Sequence, residues 1–204
     1  MKLYYSDVLA PRKTCALIKY LKLPVEFAYL QLDKGEHKKP EYLALNPNGK
    51  VPTLVDGDKV LWEADAIICY LATHAGSDLW PQDDLQAEIV SWFSWNSQHF
   101  LQSGGALYFE FVIKERFKIG PPDSAAVEKA TKSFRSQAKI LNNHLKNRKW
   151  LVGEQLSVAD FSVAVTLPYA AKAEMPIDEF PEVRRWHDQL SALDGWLDPF
   201  PERS

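Results

Sequence analysis

Cysteine is scarce in this chain: two among 204 residues, Cys15 and Cys69, far apart and outside any Cys-x-x-Cys. That excludes a disulfide framework and a thiol-exchange motif, and it fits a reduced, cytoplasmic protein. The five histidines, at positions 37, 74, 99, 144 and 187, lack ligand spacing with Cys, Asp or Glu, so a metal is not expected. No apolar run approaches the roughly 18 residues of a membrane span, and Met1 to Tyr5 reads as a strand rather than a signal peptide. A phosphate loop, a dinucleotide fingerprint and a Gly-x-Ser-x-Gly elbow are all missing, which argues against a nucleotide cofactor and a serine hydrolase. A net charge of −3 offers nucleic acid no attracting field. Internal repeats and low-complexity stretches are also lacking.

What is present changes texture once. Residues 1 to about 77 alternate strand and helix patterns: Lys2 to Tyr5 as a strand, Arg12 to Leu21 as a helix and Val25 to Leu30 as a strand. A hairpin follows, Val51 to Val55 and Lys59 to Trp62 around Asp56-Gly57-Asp58, and then a helix from Ala64 to Ala72. Residues 78–84 read as a linker ending in helix-start residues. From 85 to 204 the patterns are helical. Val127, Ala130, Phe134, Ala138, Leu141 and Leu145 mark one face of a long helix after the Gly120-Pro121-Pro122-Asp123 break. Ser157 and Asp160 form a capping-box pattern, with Asp in place of the usual Glu or Gln; its role is structural.

The most informative run is Asn46-Pro47-Asn48-Gly49-Lys50-Val51-Pro52-Thr53-Leu54. Pro52 has no N–H for a sheet ladder, so it belongs at a strand start or edge, where a cis bond is also accommodated. The backbone of Val51 is then open to an extended peptide-like ligand by strand addition. The helix opening at Glu63-Ala64 points unpaired N–H groups and a positive dipole end at whatever lies before it, which suits a carboxylate. A short peptide with free carboxylates fits both features.

These residues resemble the glutathione transferase family, of the bacterial, cytosolic type. The likeness rests on Asn46 to Leu54, on Trp62-Glu63-Ala64-Asp65-Ala66-Ile67 with Tyr70-Leu71, and on Leu151 to Phe161. It spans essentially the whole chain. It implies a thioredoxin-like domain (βαβαββα) over 1–77, followed by an all-helical domain over 85–204, an α/β plus all-α fold. It also implies glutathione as co-substrate, a homodimer, and conjugation of the glutathione thiolate to a small hydrophobic electrophile. The glutathione site would comprise His37, Lys50, Val51, Pro52, Glu63 and Ala64, with His37 and Lys50 serving the glycyl carboxylate and Glu63 the ligand's ammonium group. Family members usually carry Ser where Ala64 stands, so one hydroxyl is lost here.

The thiol-activating group is a second departure. Relatives place a Tyr, Ser or Cys near the end of the first strand, because a free thiol near pKa 8.5 is mostly protonated at neutral pH. Here Val8 to Pro11 carries no hydroxyl or thiol, which leaves Tyr5 and Ser6. Each has a competing reading, Tyr5 as core packing and Ser6 as a turn cap. Cys15 has two readings, a buried inert thiol and a reactive one. Leu9 and Tyr108 are expected to wall the electrophile pocket. The runner-up function is a non-catalytic relative holding a ligand or protein partner, and Cys15-dependent thiol transfer comes third.

Overall fold

The computed structural model describes residues 1–202. It divides into two compact units: Met1–Trp80 together with the tail that starts at Leu193, and Pro81–Ala192.

The first unit is built on a four-stranded sheet in the order β2-β1-β3-β4, with β1 Lys2–Tyr5, β2 Glu26–Tyr29, β3 Thr53–Asp56 and β4 Lys59–Trp62. β1 pairs parallel with β2 and antiparallel with β3, and β3 and β4 form the expected hairpin. Helices α1 (Leu9–Tyr20), α2 (Pro40–Leu43) and α3 (Ala64–His74) complete the thioredoxin-like arrangement, and α1 packs on α3. Two of the boundaries that differ from the sequence reading bear on the site. α1 starts three residues before the expected Arg12, because Pro11 occupies its third position and Val8, which cannot cap with its side chain, stands at the N-cap. β3 starts at Thr53, so Pro52 lies just before an interior strand and costs the sheet no hydrogen bond.

The regular elements of the second unit are all helical among the described residues. From Leu85 to Phe117 the chain is one interrupted helix: α4 (Leu85–Trp95), a π-turn at Asn96–Phe100, α5 (Leu101–Tyr108), a second π-turn at Phe109–Ile113, and α6 (Lys114–Phe117). The long helix α7 spans Ser124–His144 and buries Ala130, Phe134, Ala138 and Leu141, the face its spacing predicts. Asp123 caps it by accepting from the Ala126 N–H at 2.9 Å. The Phe100 ring fills the centre, 5.1 Å from Phe134 and stacked on Trp95 at 5.6 Å. α8 (Val158–Val163), a 3-10 segment Ala164–Tyr169 and α9 (Pro181–Ser191) close the core.

One contact in this unit is too close for any side chain. A Cβ on Gly104 would stand 2.9 Å from Thr166 Oγ1 and 3.2 Å from its Cβ and Cγ2. Thr166 is fully buried and β-branched, so it has little room to turn away. Gly104→Ala is therefore expected to cost about 1–3 kcal/mol by overpacking, read as a lower urea midpoint at unchanged slope. Gly105→Ala is the control: its Cβ would meet nothing within 4 Å, and alanine suits a helix better than glycine.

Candidate functional site

The strand register gathers the motif residues at one end of the sheet. Tyr4 stands opposite Thr53, and Thr53 opposite Trp62. The next residues along, Tyr5 at the end of β1 and Ser6 after it, Pro52 and Val51 before β3, and Glu63 after β4, therefore converge. α1 and α3 both begin at this end. An ion pair of 2.5 Å between Lys13 of α1 and Asp65 of α3 ties their first turns together. Two helix N-termini thus face one place, a favourable setting for negative charge.

A buried polar cluster shapes the turn that enters β3. The Tyr42 hydroxyl donates to the Lys50 carbonyl at 2.6 Å, and Asn46 Nδ2 donates to the same carbonyl at 2.9 Å. Both also reach Thr53 Oγ1, at 2.8 and 3.1 Å. Asn46 Oδ1 accepts from the Asn48 N–H, which closes the turn. Lys50 is thereby held by its backbone while its side chain stays exposed. The Val51–Pro52 bond is cis. No backbone hydrogen bond of Val51 occurs among the described residues. Sequence reading missed Tyr42 altogether and saw Asn46 only as the head of a turn. The available signal was a buried-type aromatic four residues before an Asn-Pro.

Gly49 brings the second group of residues to the turn. At φ +56° it takes a left-handed conformation, and a Cβ there would meet His37 O at 2.9 Å and Lys38 Nζ at 2.8 Å. The 3-10 turn Glu36–Lys38 thus lies against the Lys50 loop. Burial, and then neighbouring Lys38, push the His37 ring below its ordinary pKa. His37 therefore enters as a neutral imidazole at pH 7, and the positive charge here comes from Lys38 and Lys50.

At the start of α3, the Ile67 N–H is the first to bond inside the helix, to Glu63 O at 3.0 Å. The amides of Ala64, Asp65 and Ala66 precede it, and Glu63 at the N-cap position makes no side-chain cap. Glu63 is exposed, with φ 70° and ψ 115°. A β-carbon residue in that region costs on the order of 1–3 kcal/mol, and such strain gathers at ligand sites.

The two hydroxyl candidates have different surroundings. The Tyr5 ring is buried, 5.7 Å from Phe27, 5.5 Å from Tyr29 and stacked on Phe200 at 6.2 Å. Ser6 is 2% exposed and its hydroxyl makes no hydrogen bond among the described residues. Leu9 opens α1 and is half-buried. Arg12 N–H is the first α1 amide to reach a carbonyl, that of Val8, and Pro11 has no N–H. Only the Leu9 and Ala10 amides are then left over at that terminus. Tyr108 ends α5 in the second unit, 4% exposed, with its ring 4.7 Å from Tyr169. Cys15 is fully buried, and burial pushes its thiol up to about 12. It carries no thiolate at neutral pH, which removes the nucleophile from the Cys15-dependent reading. Cys69 is likewise pushed up to about 12, by burial and then by Asp65.

Among the described residues no helix is long and apolar enough to cross a membrane. Comparison with known proteins matches residues 2–73 to the glutathione S-transferase N-terminal domain and residues 105–194 to the C-terminal domain of the same family. The chain is 34% identical over 197 residues to glutathione S-transferase 3 of Zea mays, covering 92% of this chain and 88% of the maize protein. It is 30% identical over 192 residues to glutathione S-transferase D6 of Drosophila melanogaster, covering 92% and 86%. The solved structure of a glutathione S-transferase III in apo form superposes with a TM-score of 0.86 at 28% identity, over 100% of this chain and 99% of that one.

Proposed function

The chain belongs to the glutathione S-transferase family, and on that premise we propose that it binds glutathione at the sheet end and adds its thiolate to a small apolar electrophile. The observation that carries this reading is the convergence at the sheet end. The unbonded backbone of Val51, beside cis Pro52, lies at the same sheet end as the α3 N-terminus with its strained Glu63. Val51 would pair with the tripeptide backbone, and the amides from Ala64 onward would take the γ-glutamyl carboxylate while Glu63 holds its ammonium. Lys50 would take the glycyl carboxylate, with neutral His37 as a donor beside it.

The chemistry is a substitution or an addition. The thiol gives up its proton, the sulfur lone pair forms a carbon–sulfur bond, and the electrophile releases a leaving group or takes up a proton. Ser6 is the hydroxyl assigned to the sulfur, because it is buried and unpaired while Tyr5 sits in an aromatic cluster. Leu9 is assigned to an electrophile contact, residues 78–84 to the linker between domains, and the protein to a cytoplasmic homodimer.

Calorimetry with glutathione, joined to titration of the bound thiol by its ultraviolet thiolate band, tests the proposal. Binding with a thiol pKa below the free value supports it; binding with an unshifted thiol makes the protein a holder rather than an enzyme. Ser6→Ala is expected to raise the bound-thiol pKa by about one unit and lower turnover near pH 6.5 by about tenfold. Tyr5→Phe is expected to leave both unchanged.

A further inference from the structure

The tail of the chain grips both sides of the loop that carries the thiol-activating groups. Before the loop, the Tyr5 ring stacks on Phe200 with an interplanar angle of 16°. After it, the Arg12 guanidinium, itself 3% exposed, donates through Nη2 to the Trp196 carbonyl and to the Leu197 carbonyl at 3.2 Å. The same guanidinium stands 5.8 Å from the centroid of the fully buried Trp196 indole. A third hold lies at the far end of α1, where Lys19 Nζ donates to the carbonyls of Asp198 at 2.7 Å and Phe200 at 3.1 Å. Gly195 lies against the Lys19 stem: a Cβ there would come within 2.5 Å of Lys19 Cβ.

Besides the tail, the Tyr29 hydroxyl holds the loop by donating to Asp7 Oδ1 at 3.0 Å. The loop's one internal backbone bond among the described residues runs from Val8 N–H to Ser6 O at 2.9 Å, and the N-cap of α1 has no side-chain cap. We propose that residues 193–202 form a clasp that positions Ser6 and the α1 amides for the glutathione sulfur, so that Arg12 and Phe200 act as positioning residues for thiol ionisation. Both Arg12 bonds leave one Nη2, whose two N–H directions are fixed by the guanidinium plane, whereas an ammonium on a shorter, freely rotating stem holds no fixed direction. A hydroxyl and two amides displaced by a fraction of an ångström lose hydrogen-bond strength steeply. The clasp therefore bears on ionisation of the sulfur more than on capture of the tripeptide, whose contacts at Val51 and Glu63 lie on other elements. This inference rests on the glutathione reading above.

The test uses the full chain with Arg12→Lys, which keeps the charge and loses the planar guanidinium and its reach, and Phe200→Ala, which removes a half-buried ring and keeps Arg12. Four quantities are read: thermal melting, glutathione Kd, bound-thiol pKa, and the pH profile of kcat with a chlorinated nitroaromatic as electrophile. Both variants are expected to change Kd by less than about threefold, raise the bound-thiol pKa by about one unit, and lower kcat about tenfold at pH 6.5 with recovery at high pH. Phe200→Ala decides the matter if the buried Arg12 variant does not fold. A lower melting temperature with an unmoved thiol pKa and pH profile makes the tail merely structural and overturns the proposal. A wild-type protein that leaves the bound thiol unshifted removes the functional reading itself, and the clasp with it.

Discussion

Asp160→Ala is expected to lower the unfolding free energy by about 3–5 kcal/mol, the scale set by leaving several buried neutral donors without an acceptor. Asp160 is fully buried at the N3 position of α8, and its carboxylate accepts four hydrogen bonds. Oδ1 takes the Leu151 N–H at 3.0 Å and the Trp186 indole N–H at 2.9 Å. Oδ2 takes the Ser157 N–H at 2.9 Å and the Ser157 hydroxyl at 3.1 Å. Alanine leaves buried donors in three segments without acceptors, each costing about 1–3 kcal/mol. Urea unfolding checks this loss, which is a large share of the roughly 5–15 kcal/mol that holds a protein folded.

The same carboxylate gives the chain a pH dependence of unusual sign. Burial pushes Asp160 up to about 6, against the hydrogen bonds from Leu151, Ser157 and Trp186 that favour its ionised form. The unfolded value is about 3.9. Between the two values the folded chain binds the extra proton, so this group's contribution is complete below about 4 and is lost as pH rises through about 6. Protonation is tolerated because the Ser157 hydroxyl can turn from donor to acceptor. His37, shifted the other way by burial, opposes this trend in the wild type. The useful reading is therefore the difference between wild type and Asp160→Asn, which has no proton to gain. The wild type's advantage over that variant is expected to be larger at pH 5 than at pH 7.

Asp160 also marks where the sequence is legible and where it stops. Its link to Ser157 is three residues long, so local spacing reveals the capping box. Its bonds to Leu151 and Trp186 join segments 9 and 26 residues away, and no local pattern encodes those. The same division runs through the candidate site. Asn46 to Leu54 is readable because turn chemistry and a proline at a strand start are local constraints. The long face of α7 is readable because its spacing is regular. The start of α1 is not, since Val8 lacks the side-chain oxygen that signals an N-cap. The π-turns at Asn96–Phe100 and Phe109–Ile113 each insert an extra residue into a helical turn, which breaks the 3.6-residue period on which such readings depend. Alternation along β1 argued for Tyr5 as an inward ring and the fold places it there, but its partner Phe200 lies at the other end of the chain.

Glu63→Ala and Glu63→Gly are both expected to weaken glutathione binding by roughly ten- to a hundredfold, the worth of about 1.5–3 kcal/mol for a hydrogen bond to a charged group. Their stabilities should separate them. In an ordinary exposed position glycine is less stable than alanine by about 0.5–1 kcal/mol, because the unfolded chain gains freedom. At φ 70° and ψ 115° alanine keeps the Cβ conflict with the backbone and glycine removes it. The order is therefore expected to invert, with Glu63→Gly at least about 1 kcal/mol more stable than Glu63→Ala. Calorimetry gives the first quantity and urea unfolding the second. An unaltered affinity in both variants would move the ammonium contact to another residue. The usual order, alanine above glycine, would mean that the turn into α3 stores no strain for the ligand to exploit. Loss of affinity together with the inverted order would mean that the fold tolerates an unfavourable backbone at Glu63 in order to hold a carboxylate beside the amides that open α3.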